Sequence, residues 1–271
     1  MLRYHYRNLI PDKITQDLRT KILGRKIIYL DTVDSTNSEG RRRFTPEGEG
    51  IVILSEQQTA GRGRLGREWT SPRNKGIWMS ILLKPDQPPD RIPRLTMVGA
   101  AAVCLALEIV EPSLGTKVQI KWPNDLLLGE KKVGGILTEM QVSGGKAQSV
   151  VLGIGLNVSL EEDDFPSELL MKATSLYLGT GRAYDREIII AEILNSFEPL
   201  YQEFSGGSIA KSLTICRQRS AVIGRNVILV NKGIVEEAEV LDLGPQGELV
   251  VKLAKGDIAS VVSGEISLRM L

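Results

Sequence analysis

The segment Lys121-Trp122-Pro123-Asn124-Asp125-Leu126 joins a predicted strand of the fold to a cluster of polar side chains. The strand covers Val118–Trp122, and the Pro-Asn-Asp sequence after it predicts a turn. Lys121 could meet an anion, Asn124 could recognise the edge of a base, and Asp125 could orient Mg²⁺. A plain Asn-Asp turn is the alternative.

Further strands are predicted on both sides of this segment. They cover Lys26–Leu30, Ile51–Leu54, Ile77–Leu83, Gly134–Val142 and Ser149–Val158. Apolar residues at spacings of three and four predict two long helices, Ile92–Val110 and Arg186–Phe204. The apolar stripe of the first comprises Leu95, Val98, Ala102, Leu105, Ala106 and Ile109. Shorter helices are predicted for Ile14–Leu23 and for the segment up to Phe44 that Asp34–Asn37 can cap.

The pattern changes after Gly206-Gly207. A short helical stretch runs to Arg219, and short strands separated by glycine turns follow it. These strands cover Asn226–Val230, Ala238–Leu243, Leu249–Leu253 and Ile258–Val262. This spacing is typical of a small closed β-domain, so we predict a domain boundary near residue 220.

Composition and charge exclude several classes of protein. Of 271 residues, 42% are hydrophobic and 25% charged, which is typical of a globular chain and not of a disordered one. Lys plus Arg (34) almost balances Asp plus Glu (33), so any site for a polyanion must be local. We expect no membrane span and no signal peptide, because no apolar run reaches about 18 residues.

Cysteine and histidine are scarce. Cys104 and Cys216 lie far apart in the sequence, in a pattern that fits two free thiols and no metal site. Free thiols are typical of a reducing compartment, and we expect a cytoplasmic protein. The lone histidine, His5, makes His-dependent acid–base catalysis improbable unless the N-terminal tail folds over a site.

The most unusual segment is Gly61-Arg62-Gly63-Arg64-Leu65-Gly66-Arg67. Its glycines expose backbone N–H groups, and its arginines supply fork-shaped cationic donors, as a loop for phosphate or carboxylate would need. A solvated basic turn or an Arg-Gly tract for nucleic acid is the alternative. The segment matches neither a P-loop nor a dinucleotide-binding fingerprint.

Two further segments combine glycine with strand patterns. Lys131-Lys132-Val133-Gly134-Gly135-Ile136-Leu137 places lysines before two glycines, which favours close approach of a flat ligand to the sheet. Gly153-Ile154-Gly155-Leu156-Asn157-Val158 alternates glycine with apolar residues and ends on an amide. A β-bulge with a turn-capping Asn is its alternative.

Taken together and in this order, these segments resemble the biotin protein ligases, also called biotin–acetyl-CoA-carboxylase ligases. The resemblance runs from about Gly24 to the C-terminus. It rests on Asp34–Asn37, Gln58–Ala60 with the glycine–arginine loop, Lys121–Asp125, Lys132–Leu137, Gly153–Asn157 and Gly264–Arg269.

The resemblance implies an α/β fold. A catalytic domain with a mixed sheet, similar to class II aminoacyl-tRNA synthetases, would occupy residues 24–220. A small SH3-like β-barrel would occupy residues 221–271, and residues 1–23 would form a short N-terminal extension. These 23 residues are too few for a helix-turn-helix domain, so the resemblance is to the monofunctional type, with no specific DNA partner.

The resemblance also implies roles for individual residues. The biotin site would contain Ser35, Thr36, Asn37, Gln58, Gly61, Arg62, Lys132 and Gly135. The ATP or adenylate site would contain Arg64, Arg67, Trp69, Lys121, Asn124, Asn157 and Arg269. Arg62, Arg64 and Lys132 would be catalytic, and Asp125 is the candidate ligand of Mg²⁺.

The implied activity is ATP-dependent. Biotin would be activated as biotinyl-5'-AMP and transferred to a lysine of a biotin carboxyl carrier protein, with homodimerisation through the catalytic sheet. A lipoate ligase or octanoyl transferase is the nearest alternative, and the transferase needs a cysteine nucleophile. The other alternative is a nucleic-acid-binding protein that uses Arg41-Arg42-Arg43 and the glycine–arginine loop.

Overall fold

The computed structural model describes residues 7–45, 48–231, 234–262 and 266–270. His5 and Gly264 lie outside these ranges. The side chain of Arg269 does too, although its backbone belongs to a described strand.

A mixed seven-stranded sheet dominates the described residues, in the order β1-β2-β3-β7-β6-β5-β4. Its strands are β1 (Ile27–Val33), β2 (Val52–Gln58), β3 (Gly76–Leu83), β4 (Val118–Lys121), β5 (Asp125–Leu128), β6 (Lys131–Ser143) and β7 (Lys146–Asn157). β1 and β2 run parallel, and the other pairs are antiparallel. This mixed sheet with its covering helices confirms the predicted α/β class; the likeness to class II synthetases stays a prediction.

Helices cover both faces of the sheet, which is why every residue of β3 is buried. The helices of the described chain are α1 (Pro11–Gln16), α2 (Thr36–Arg43), α3 (Leu95–Val110), α4 (Leu176–Thr180), α5 (Arg186–Ser205) and α6 (Ala210–Gln218). α3 and α5 pack on one face, and α2 lies on the other against β3 and β7. α2 comes close because Gly40 has no side chain: a Cβ there would lie 3.0 Å from Val151 Cγ1.

The long helices are found close to their predicted positions. A 3₁₀ segment, Pro89–Arg94, precedes α3, and together they are apolar and long enough to cross a membrane. Of the most apolar window, 72% is buried inside the fold, which fits the core helix of a soluble protein. The predicted apolar stripe of α3 is wrong at its end, where Ile109 is 56% exposed while Leu107 is buried.

A second, antiparallel sheet follows α6, in the order β11-β10-β9-β8-β12. Its strands are β8 (Asn226–Asn231), β9 (Ile234–Leu243), β10 (Leu249–Leu253), β11 (Ile258–Val261) and β12 (Ile266–Met270). The first four overlap predicted strands, although β9 begins four residues before the predicted Ala238, and the sequence pattern did not predict β12. The SH3-like description stays a prediction.

The chain near the proposed boundary at residue 220 is bonded to the large sheet. Ile120 of β4 donates its N–H to the carbonyl of Arg219 at 2.7 Å and accepts from the N–H of Ala221 at 2.9 Å. Apolar side chains of both sheets also belong to one continuous core, which includes Val118 of β4 and Val240 of β9. The two sheets are therefore packed together in the described chain.

The described part of the predicted N-terminal extension packs into the fold, with Leu9, Ile14 and Leu23 in the core. The helix predicted over Ile14–Leu23 is wrong in position, since α1 begins at Pro11 and ends at Gln16. The cause is the carboxylate of Glu198 on α5, which accepts the backbone N–H groups of Lys21, Ile22 and Leu23 at 2.5–2.9 Å. These donors are satisfied outside a helix.

Candidate active site

A cavity of about 370 Å³ opens on the large sheet where β6 and β7 carry glycines. Gly135 of β6 and Gly155 of β7 are directly paired across the two strands. The indole of Trp69 lies against this glycine surface: a Cβ on Gly155 would come within 2.7 Å of Trp69 Nε1. Glycine therefore allows the indole of the protein itself to lie on the sheet, and the close approach of a flat ligand stays a prediction.

The glycine–arginine loop forms one wall of the cavity and folds as an irregular hairpin. Its two arms are held by isolated bridges, Gln58 with Ser71 and Arg62 with Glu68. Near the tip, the N–H of Gly63 donates to the carbonyl of Arg67 at 2.7 Å. Leu65 at the tip is 74% exposed and has φ 57°, a left-handed conformation that costs a side chain energy. The loop thus holds a strained apolar tip in solvent beside the cavity.

One end of the cavity is polar and hydrogen-bonded. The side-chain oxygen of Gln58 accepts from the N–H of Thr36 at 2.9 Å and from its hydroxyl at 3.1 Å. The buried hydroxyl of Ser80 contacts Thr36 Oγ1 at 2.7 Å and Asn37 Oδ1 at 2.6 Å. These contacts fix the first turn of α2 against β2 and β3. A ligand here would meet preorganised amide and hydroxyl groups.

Cations converge on a single carboxylate in the same cavity. Lys132 Nζ lies 2.6 Å from Asp125 Oδ1, and Arg64 donates to Asn124 Oδ1 at 3.1 Å. Burial lowers the pKa of Lys121 and of Arg64, and the charge of Asp125 opposes that shift in both. Cations that are partly stripped of water attract an anionic ligand more strongly than solvated ones do.

The indole of Trp69 connects these parts. Its ring lies 5.1 Å from Lys132 Nζ and meets Trp78 edge to face, with centroids 6.5 Å apart. Trp69 Nε1 is buried and has no hydrogen-bond partner among the described residues. A buried donor of this kind costs free energy unless a ligand or a movement of the ring supplies an acceptor.

The structure places fourteen of the residues singled out from the sequence on this one cavity. They are Ser35, Thr36, Asn37, Gln58, Arg62, Arg64, Arg67, Trp69, Lys121, Asn124, Asp125, Lys132, Gly135 and Asn157. Gly61 lies just behind the cavity, where its carbonyl accepts a hydrogen bond from the backbone N–H of Trp69 at 2.9 Å. The side-chain amide nitrogen of Asn157 donates to the carbonyl of Thr174 at 3.0 Å.

A resident metal centre does not fit the described residues. Asp125 is engaged by Lys132, and among residues 7–45, 48–231, 234–262 and 266–270 no three His, Cys, Asp or Glu side chains come together as ligands. Asp125 as a Mg²⁺ ligand stays a prediction.

The sequence pattern did not identify Glu139 and Ser38, which form hydrogen bonds with two predicted site residues, Asn37 and Arg62. Glu139 Oε2 accepts from the amide of Asn37 at 2.8 Å, and Ser38 Oγ accepts from Arg62 at 2.9 Å. Strand alternation could have found Glu139, because it follows Gly135 by four residues on the same face of β6.

The structure argues against two of the alternatives. Cys104 and Cys216 are both buried in the core, where desolvation raises the pKa of Cys104 to about 12, so neither thiol is an accessible nucleophile. The basic tract is neutralised by acids: Arg41 pairs with Glu139, and Arg42 with Asp34. These pairs leave little free charge for nucleic acid.

Comparisons with known proteins agree with the geometry. Residues 28–157 match the Biotin/lipoate A/B protein ligase family. The bifunctional ligase/repressor BirA of Bacillus spizizenii is 35% identical over 96% of this chain and 79% of its own length. The biotin–[acetyl-CoA-carboxylase] ligase of Mycobacterium tuberculosis is 31% identical over 92% of this chain and 96% of its own.

Among solved structures, the fold is similar to that of the biotin protein ligase from Aquifex aeolicus in complex with biotin and ATP. The TM-score is 0.77 at 31% identity, over 91% of this chain and 100% of the other. The chain is therefore an enzyme that belongs to the biotin protein ligase family.

Proposed function

We propose that this enzyme activates biotin with ATP as biotinyl-5'-AMP and transfers the biotinyl group to a lysine of a biotin carboxyl carrier protein. The observation that carries the proposal is the convergence of Arg64, Lys121 and Lys132 around Asp125, in a cavity that also holds the polar Thr36–Gln58 pair. The family and the named ligands of its relatives support the same assignment.

The first step needs these cations. An oxygen of the biotin carboxylate attacks the α-phosphorus of ATP, an anhydride bond forms, and pyrophosphate leaves. Two anions must approach each other, so positive charge at the point of attack lowers the barrier. Lys132 is suited to this place, since its Nζ stands at the start of the glycine surface, and Arg64 is suited to hold the adenylate phosphate.

The second step needs position more than charge. The amine of the acceptor lysine attacks the carbonyl of the mixed anhydride, an amide forms, and AMP leaves. The anhydride must be kept from water until the lysine arrives. The hairpin of the glycine–arginine loop, with Trp69 at its base, lies where it can cover the adenylate.

The described residues do not form a metal centre of their own. Mg²⁺ bound with the nucleotide would supply charge neutralisation of the ATP phosphates. Homodimerisation through the catalytic sheet, a cytoplasmic location and the absence of a DNA partner also stay predictions.

The test is a direct search for the intermediate. The enzyme is incubated with ATP and Mg²⁺ and either biotin or lipoate, and the acyl-adenylate is detected by mass spectrometry. We expect biotinyl-5'-AMP, and a mass increase on one lysine when a biotin carboxyl carrier domain is added. A lipoyl adenylate without the biotinyl one would overturn the proposal.

A further inference from the structure

The strand β6 carries an acidic side chain beside the cavity that the proposed mechanism does not use. Gly135, Leu137 and Glu139 alternate along β6, so they share the face of the sheet on which the cavity opens. Gly135 and Leu137 line the cavity, and Glu139 follows two residues later. Its carboxylate thus lies just outside the space available to a ligand.

Glu139 is bound by groups from two other elements. Its Oε2 accepts from Asn37 Nδ2 at 2.8 Å, and its Oε1 lies 3.2 Å from Arg41 Nη1 of the same helix, α2. Its Oε2 also lies 3.5 Å from Arg62 Nη2 of the glycine–arginine loop. Arg62 Nη2 donates in addition to Ser38 Oγ at 2.9 Å. The guanidinium of Arg62 is therefore held against α2 and β6.

We propose that Glu139 is a positioning residue that holds the guanidinium of Arg62 when no biotin is bound. The carboxylate of biotin must displace Glu139 in order to bind that guanidinium. The inference rests on the proposed function and on the predicted place of Arg62 in the biotin site, where its guanidinium would meet the biotin carboxylate. Both partners are carboxylates, so the planar fork of Arg62 recognises Glu139 and the substrate in the same way.

The strength of the contact suits such an exchange. The side chains of Arg62 and Glu139 are 37% and 23% exposed, so their attraction is screened by water. Such a pair is weak enough for Arg62 to leave it. If Glu139 binds Arg62 in part of the enzyme, the apparent affinity for biotin equals the intrinsic affinity multiplied by the fraction of enzyme in which Arg62 is free.

Asn37 gives Glu139 a fixed position. The amide of Asn37 is held on its oxygen side by Ser80 Oγ at 2.6 Å, and on its nitrogen side it reaches Glu139 and the carbonyl of Leu137. Replacement of Glu139 by glutamine keeps an oxygen for Asn37 and removes the charge that attracts Arg62 and, on the other oxygen, Arg41. Glu139→Gln is therefore the informative substitution.

The experiment compares four enzymes in the adenylate-forming half-reaction: wild type, Glu139→Gln, Arg62→Gln and the double variant. Steady-state pyrophosphate release gives KM for biotin and kcat. We expect Glu139→Gln to lower KM for biotin about two- to five-fold, as loss of an exposed ion pair allows, with little change in kcat. In the Arg62→Gln background the same substitution should have no effect.

A matched control is Glu111→Gln, which removes a carboxylate from a surface pair with Arg182 (2.6 Å) away from the cavity. Its KM should equal that of the wild type. Ser38→Ala removes the other acceptor of Arg62 and should also lower KM, which keeps the test decisive if Glu139→Gln folds poorly.

An unchanged or higher KM for biotin in Glu139→Gln would overturn the inference. So would a fall in KM that is equally large when Glu139→Gln is introduced into the Arg62→Gln enzyme. Failure of the proposed function can be distinguished from failure of this inference, because in the first case the wild-type enzyme would form no biotinyl-5'-AMP at all.

Discussion

Lys132 Nζ lies between Asp125 Oδ1, at 2.6 Å, and the ring of Trp69, whose centroid is 5.1 Å away. The lysine is thus held by a carboxylate on one side and by the negative face of an aromatic ring on the other. Both contacts fix the ammonium group at the edge of the glycine surface, where the reacting carboxylate and phosphate are proposed to meet.

Removal of this ammonium should affect chemistry more than binding. We expect Lys132→Ala to slow biotinyl-5'-AMP formation by about 10²–10³-fold, the usual effect of losing one preorganised charge at the reacting group. ATP affinity, measured by calorimetry, should change much less. The adjacent Lys131, whose Nζ donates to the carbonyl of Leu170, provides the matched control Lys131→Ala. Unchanged pyrophosphate release in Lys132→Ala would show that the assignment is wrong.

Arg64 should hold the adenylate without supporting the fold. Its contact to Asn124 joins the loop to the turn between β4 and β5, and Leu65, Gly66 and Arg67, which follow it in the loop, are exposed. We expect Arg64→Ala to keep the wild-type Tm and to release biotinyl-5'-AMP faster, as followed by a chase with unlabelled biotin. Arg62→Ala should behave in the same way. A large fall in Tm in either variant would mean that the loop is structural.

The glycines of the cavity should differ in their tolerance of a methyl group. Alanine at 155 would place Cβ 2.7 Å from Trp69 Nε1, so the indole must move, whereas Cβ at 135 would find its nearest atom, Lys132 Cε, at an ordinary 3.4 Å. We expect Gly155→Ala to cut adenylate formation by up to about a hundred-fold through misplaced groups, and Gly135→Ala to cut it less. Tryptophan fluorescence should change only in the first. Equal effects of the two substitutions would contradict this view of Trp69.

The start of α2 should show a defined pH dependence. Hydrogen bonds from Arg42 lower the pKa of Asp34 from 3.8 to about 2, and the N–H of Ser35 adds to them. Because the pKa is depressed in the folded state, this stabilisation is present above about pH 4 and is lost as the pH falls towards 2.

Asp34→Asn should therefore be less stable than wild type at pH 7 and equally stable near pH 2, as measured by urea unfolding. The side chain of Asp34 is 47% exposed, so we expect a difference of about 0.2–1 kcal/mol at pH 7. A gap in unfolding free energy that stays constant down to pH 2 would contradict the assignment.

The long elements could be predicted because each carries a long apolar pattern. α5 has apolar residues at helical spacing from Ile189 to Phe204, and β7 is a nearly continuous buried run in which glycine alternates with apolar residues towards its end. The sequence pattern predicts no strand at β5, because the predicted Pro-Asn-Asp turn overlaps its start and the strand spans only Asp125–Leu128. Such short strands are fixed by their neighbours and carry little signal of their own.

The residues of the candidate site also fall into those that the sequence could predict and those that it could not. Residues with unusual local sequence, such as the glycine–arginine loop, could be found by pattern. Alternation along β6 could have placed Glu139 on the face of the cavity, but the contacts that give Glu139 and Ser38 their roles are with residues far away in the chain. The carboxylate of Glu198 shows the same limit, since it replaces a predicted helix by three hydrogen bonds to Lys21–Leu23.

Trp122, next to Lys121 of the cavity, donates its buried indole N–H to the carbonyl of Gly247 in the second sheet at 2.9 Å. Any hybrid enzyme that takes residues 221–271 from a relative would have to rebuild this contact. Every residue offers a backbone carbonyl, but Gly247 has φ 84°, and a side chain there would meet Met97 Sδ at 2.5 Å. The exchange of residues 221–271 between relatives would thus depend less on the amino acids of the transplanted strands than on a glycine at position 247, in the turn between β9 and β10.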